Sequence, residues 1–129
     1  MHRVRVILLN AALGPLDYRA PKGMPAPPPG TIVLAPLGPR QITGVVWEAN
    51  RLEAGEVDDK RLRPLLQVYD LPPIAEPLRR LIEWTADYYL APIAAVLRMT
   101  IASASALDGA RTITEYRATG LIPDRLTPQ

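Results

Sequence analysis

Apolar and polar positions alternate from His2 to Val6, which predicts a strand with Val4, Val6 and Leu8 on one face. A short extended piece follows around Leu16-Asp17-Tyr18, set between Gly14-Pro15 and Pro21-Lys22-Gly23. After the stiff turn Pro27-Pro28-Pro29-Gly30, two further strands are expected over Thr31–Pro36 and Ile42–Glu48, joined across Leu37–Gln41. Gly44 inside the second of these predicts a bulge or a tight bend, as a small curled sheet requires. Pro64–Tyr69 reads as one more short strand, ending at Asp70 before Pro72-Pro73.

Beyond that hinge the period changes from two to about 3.6. Pro77 suits a first helical turn, and Glu76 suits the positive end of the helix dipole. Leu78, Leu81, Ile82, Thr85 and Tyr89 then recur at three- and four-residue spacing, which predicts a buried stripe. Trp84, Tyr88 and Tyr89 fit the same core role. Arg79 and Glu83 read as an i,i+4 ion pair on the outer side. Pro92 breaks the helix by forcing Ala91 out of the α region. A second helix runs on from there, burying Ile93, Val96, Leu97 and Ile101.

The expected fold class is α+β: a small curled antiparallel sheet, barrel-like, followed by a helical part. The domain spans 1–106, with its β part at 1–53, a connector at 54–76 and helices at 77–106. Residues 107–129 lose periodicity after Leu107-Asp108-Gly109 and read as linker.

Composition sharpens this. A chain of 129 residues is one domain's worth, and 48% hydrophobic with 22% charged residues is ordinary for a globular protein. The apolar run Val6–Leu9 is far below the roughly 20 residues of a membrane span. With no small-residue cleavage site behind the basic N-terminus, a cytoplasmic location is expected. The absence of cysteine removes disulfides, thiolate zinc sites and cysteine nucleophiles together. Fifteen prolines, about 12% of the chain, are spread through its apolar segments and predict many rigid turns. Thirteen arginines and two lysines leave a net charge of +2. Residues 1–53 carry six cations against three acids, a lean toward anionic partners.

The catalytic inventory is short. His2 is the only histidine, no Gly-Lys dipeptide supports a phosphate loop, and neither GxGxxG nor GxSxG occurs. Asp58-Asp59 reads as a solvated acidic pair rather than a metal site. The chain therefore reads as a binding module and not an enzyme. Its candidates lie on loops and turns: Leu16, Asp17 and Tyr18, then the turn Pro36–Arg40 with Gly38, and Arg63. Each also fits a plainer role. Tyr18 suits a half-buried core position, Asp17 a solvated turn cap, Gly38 a positive φ, and Arg63 a solvated cation.

The order of motifs from Arg3 to about Ala102 resembles the N-terminal DNA-binding domain of primosomal protein N′, the PriA replication-restart helicase family. The carriers are Val4-Arg5-Val6, Leu16-Asp17-Tyr18-Arg19-Ala20-Pro21, Gly30–Gly38, Gly44-Val45-Val46 and Leu62–Asp70. The most specific is Trp84-Thr85-Ala86-Asp87-Tyr88-Tyr89-Leu90-Ala91-Pro92, continuing to Val96-Leu97. Leu16 and Leu37 stand where the family pattern has phenylalanine, Arg63 where it has lysine, and Ala94 where it has glycine. The aliphatic replacements keep an apolar wall but lose base stacking, worth about 1–3 kcal/mol per base.

The resemblance implies capture of the 3′-OH end of the nascent leading strand at a stalled fork. Leu16, Asp17, Tyr18, Gly38 and Arg63 would form the site, with the Asp17 carboxylate accepting from the hydroxyl and Arg40 as a weaker phosphate contact. It implies forked or single-stranded DNA as partner, with single-strand-binding protein and other primosome proteins engaged through the full-length helicase, and no membrane. ATP, magnesium and zinc would belong to parts of that helicase outside this chain, which itself needs no cofactor. Arg125–Gln129 resembles the approach to a winged-helix domain. The competing class is a small barrel-like protein-interaction or structural packing domain without DNA-end specificity.

Overall fold

The structure, a computed structural model, describes residues 2–110 and 112–121. Part of the expected linker, including Arg125–Gln129, therefore lies outside the described residues. The fold is α+β. Strands β1 (Arg3–Leu8), β2 (Leu16–Arg19), β3 (Ile32–Leu37), β4 (Arg40–Trp47) and β5 (Gln67–Val68) form one antiparallel sheet in the order β2-β1-β4-β3-β5. Helices α1 (Glu76–Tyr89) and α2 (Ile93–Thr100) follow. No helix among the described residues is long and apolar enough to cross a membrane.

Alternation along β1 divides two cores. Val4, Val6 and Leu8 face one side, where they pack with Tyr18, Val33, Ala35, Val46 and Leu65. Ile7 faces the other, where Ile32, Val45 and Trp47 meet Ile82, Ala86, Ala94, Val96 and Leu97 of the helices. The first core contains no helical residue, so the sheet encloses it by curling. The sheet nonetheless stays open. Among the described residues, the only strand-like link from the β5 side back to β2 is an isolated bridge between Arg19 and Pro64. There the Arg19 N–H donates to the Arg63 carbonyl and the Leu65 N–H donates to the Arg19 carbonyl, both at 2.9 Å. The chain then changes partner, and the Leu66 and Tyr69 N–H groups donate to Leu34 and Ile32 of β3. Pro64, which has no N–H, and this change of partner explain why only Gln67–Val68 remains of the strand expected over Pro64–Tyr69.

Strands β3 and β4 reach nearer the turn between them than the sequence predicts. Leu37 pairs with Arg40, leaving Gly38-Pro39 as a two-residue turn. Gly38 has φ +56°, the conformation a tight hairpin needs at its first central residue. Gly44 is not a bulge, because its pairing with Leu8 and Val33 stays in step on both sides. It marks a close approach instead. A Cβ there would stand 2.6 Å from Val6 Cγ1 and 2.9 Å from the Ile7 carbonyl oxygen.

Helix α1 is rotated from its expected setting. Ile82 is buried as predicted, but Ala86 is its buried companion, while Leu78, Leu81 and Tyr89 are exposed. Trp84 and Tyr88 are 59% and 67% exposed and stack on each other with centroids 5.1 Å apart. Arg79 and Glu83 point inward and do not pair with each other. Arg79 Nη2 meets Glu48 Oε1 at 3.0 Å. Glu83 accepts from the indole N–H of buried Trp47 at 2.8 Å and from Arg51 and Arg80 at 2.7 and 2.6 Å. The reason lies at the end of β4. Trp47 brings a buried N–H that needs an acceptor, and Glu48 brings a carboxylate that needs cations. Both requirements turn the charged stripe of α1 toward the sheet. Burial raises the Glu83 pKa, but hydrogen bonds from Arg51, Trp47 and Arg80 outweigh it and lower the value to about 2. Leu90, at φ +53°, ends α1, and Pro92 caps α2, which buries Ala94, Val96 and Leu97 with Ile93 and Ile101 at its margin.

Candidate nucleic-acid interface

One pocket of about 240 Å³ opens where β2, the β3–β4 turn and the connector converge. Five of the six predicted site residues line it: Leu16, Asp17, Tyr18, Gly38 and Arg63. Arg40 does not, since it lies across the hairpin turn at the start of β4. Leu37 and Val57 extend the apolar wall, and Arg61 adds a second cation. Arg61 was not among the candidates. The basic run Lys60-Arg61-x-Arg63 was its available signal.

Asp17 is not the solvated turn residue that its neighbours in sequence predict. It sits in the middle of β2, directly across from Arg5, and its side chain is 1% exposed. Arg5 holds the carboxylate with two bonds, Nε to Oδ1 at 2.9 Å and Nη2 to Oδ2 at 3.1 Å. Arg3 Nη1 adds a third at 3.1 Å. Arg3 also reaches into the connector, and Arg5 into the loop that follows β4. Arg3 binds Asp59 and the Val57 carbonyl, and Arg5 binds the carbonyls of Ala49 and Leu52. Both guanidinium pKa values are raised, that of Arg3 mainly by the Asp59 hydrogen bond and that of Arg5 mainly by the Asp17 one. Asp17 thus anchors the segment that forms one wall of the pocket.

The main chain of Asp17 has the opposite disposition. Ala20 bonds to His2 across the β1–β2 ladder, so alternate residues of β2 pair inward and Asp17 and Arg19 point their N–H and C=O groups outward. Those of Arg19 are taken by residues 63 and 65. Those of Asp17 have no hydrogen-bond partner among the described residues, and they lie on the side where the pocket opens.

Tyr18 is core: it is buried, and its hydroxyl donates to the Pro36 carbonyl at 2.9 Å. Burial pushes its phenol pKa up, with the Arg63 charge acting the other way. Arg63 Nη1 donates to the Gly38 carbonyl at 3.1 Å, spanning the mouth between the connector and the turn. Gly38 itself has open space where a Cβ would be, so its φ and not crowding demands glycine. The pocket therefore offers a main-chain donor and acceptor side by side, an aliphatic wall and two guanidinium groups. That set suits a nucleotide better than an apolar ligand.

The family model described as the PriA 3′DNA-binding domain (3′BD) covers residues 5–102. No curated protein matches the chain.

Proposed function

Because the chain belongs to the PriA 3′ DNA-binding domain family, a DNA-binding module rather than a catalyst, we propose that this pocket holds the terminal nucleotide of a 3′-OH end. The observation that carries the reading is the pair of unengaged main-chain groups of Asp17 beside Arg61 and Arg63. A 3′-hydroxyl is at once donor and acceptor. It can donate to the Asp17 carbonyl and accept from the Asp17 N–H. A 3′-phosphate, or a strand that continues, presents only acceptors and leaves that carbonyl unpaired, at about 1–3 kcal/mol. Asp17 remains a site residue in this account. Its main chain touches the DNA, while its carboxylate positions the strand through Arg3 and Arg5.

Arg61 and Arg63 meet the phosphate that precedes the terminal sugar. Leu16 and Leu37 bound the base without reading it, which suits an end that can arise at any sequence. Capture of nascent leading strands at stalled forks, in service of a replication-restart helicase and its single-strand-binding partner, is the setting we infer for this chemistry. Fluorescence anisotropy with 3′-OH, 3′-phosphate and blunt oligonucleotides tests the reading. The hydroxyl end should bind about ten-fold more tightly than the phosphate end. Equal affinity for all three would refute it and return the domain to the protein-interaction class.

A further inference from the structure

We propose that a second, larger cleft beside the pocket takes the backbone phosphates of the nucleotides that precede the terminal one. This deepens the proposed function and rests on it for the direction of the strand. The cleft has a volume of about 1010 Å³, and its walls include His2, Arg19, Lys22, Met24, Pro25 and Pro64. No acidic residue lines it.

Three observations support a polyanion there. First, Arg19 and Lys22 have no carboxylate partner among the described residues, whereas Arg3, Arg5, Arg51, Arg79 and Arg80 all do. The cations of this cleft are thus left to meet an anion, as are Arg61 and Arg63 in the neighbouring pocket and Arg40, Lys60 and Arg98 elsewhere, none of which has a carboxylate partner among the described residues. Second, the cleft and the pocket share a rim. Arg63 lines the pocket, Pro64 lines the cleft, and the Arg19–Arg63 bond of 2.9 Å joins their walls. A strand leaving the pocket past Arg63 meets Arg19 next. Third, the loop that presents Lys22 is restrained by prolines and a turn. Pro21 and Pro25 frame it, Gly23 turns at φ +79°, and the Met24 N–H donates to the Pro21 carbonyl at 3.0 Å. Little loop entropy is lost when it meets a ligand. Half-exposed Met24 adds an apolar surface for a sugar or base edge.

Charge with no base-reading amide or carboxylate makes this a sequence-independent backbone track. Each phosphate contact on a single strand contributes a slope of about −0.7 in log K against log salt. At 0.15 M salt, one contact is therefore worth about four-fold and two about fifteen-fold in affinity.

The test compares wild type, Lys22→Gln and Arg19→Gln/Lys22→Gln on single strands of two and of six nucleotides. Each strand is made with a 3′-OH and with a 3′-phosphate, and each titration is run at several salt concentrations. Wild type should gain affinity between two and six nucleotides. The double variant should lose about fifteen-fold on the six-nucleotide strand and little on the dinucleotide, with an unchanged preference for the hydroxyl. An equal loss on both lengths, or no gain with length in wild type, overturns the cleft. If wild type instead fails to distinguish the two ends of the dinucleotide, the end pocket is wrong, and the length and salt arms still decide the cleft. Lys22 is exposed and unpaired, so Lys22→Gln should leave the melting temperature within a degree or two of wild type.

Discussion

Asp17→Asn separates a carboxylate that touches DNA from one that holds the protein together. In the structure the carboxylate makes three bonds to two arginines and is 1% exposed. Asparagine keeps one acceptor oxygen but turns an amide N–H₂ toward a guanidinium, so at least one bond is lost and the rest keep only the charge of the arginine donor. A charge-assisted bond is worth about 1.5–3 kcal/mol and a neutral one about 1. Removing one partner of a buried pair costs about 3–5 kcal/mol, and the remaining acceptor offsets part of that. We expect a loss of about 3 kcal/mol. Against a typical stability of about 5–15 kcal/mol the domain should still fold, with a melting temperature lowered by about 10–20 °C. Arg5→Gln should cost a similar amount, and the double variant distinctly less than the sum. The DNA readout is the discriminating half. At a temperature where both proteins are folded, the preference for 3′-OH over 3′-phosphate should survive in Asp17→Asn, since main-chain groups supply it. A variant as stable as wild type that has lost its end preference would refute the reasoning. The carboxylate would then be free in solution and would itself bind the hydroxyl.

Other consequences follow from the same geometry. Arg63→Gln should lower the salt slope of DNA binding by about 0.7 while leaving end preference intact, read by anisotropy across a salt series. The carboxyl of Glu83 has its folded pKa lowered to about 2 from an ordinary 4.5. Its stabilisation is therefore present above about pH 5 and is lost as pH falls toward 2. After allowance for the half-exposed Arg51 this is about 2 kcal/mol, and Glu83→Gln should flatten that part of the acid-unfolding profile. Gly44→Ala places a methyl 2.6 Å from Val6 Cγ1 and should destabilise the sheet by about 2–4 kcal/mol in urea unfolding without altering the slope m.

Much of the fold is local physics and was legible in the chain. Alternation around Val4, Val6 and Leu8 specifies a half-buried strand, because a pleated backbone sends successive side chains to opposite faces. The change of period after Pro72-Pro73 marks the helices, and Pro92 breaks them where its ring and missing N–H require. The residue types marked Leu16-Asp17-Tyr18, Gly38 and Arg63 as separate candidates, the family resemblance implied that they share a site, and the structure gathers those five around one pocket. What the chain alone left open depends on partners distant in sequence. The rotation of α1 follows from Trp47 and Glu48, about thirty residues earlier, whose buried polar groups outrank the apolar stripe of Leu78, Leu81 and Tyr89. The state of Asp17 follows from its cross-strand neighbour Arg5 and from Arg3, which turn an apparent loop carboxylate into a buried anchor. The unpaired main-chain edge beside it exists because residues 63–65 cover β2 at Arg19 and stop there. Pattern records which way a side chain faces along its own element. Only the pairing of one element with another decides which charges are neutralised and which backbone groups remain for a ligand.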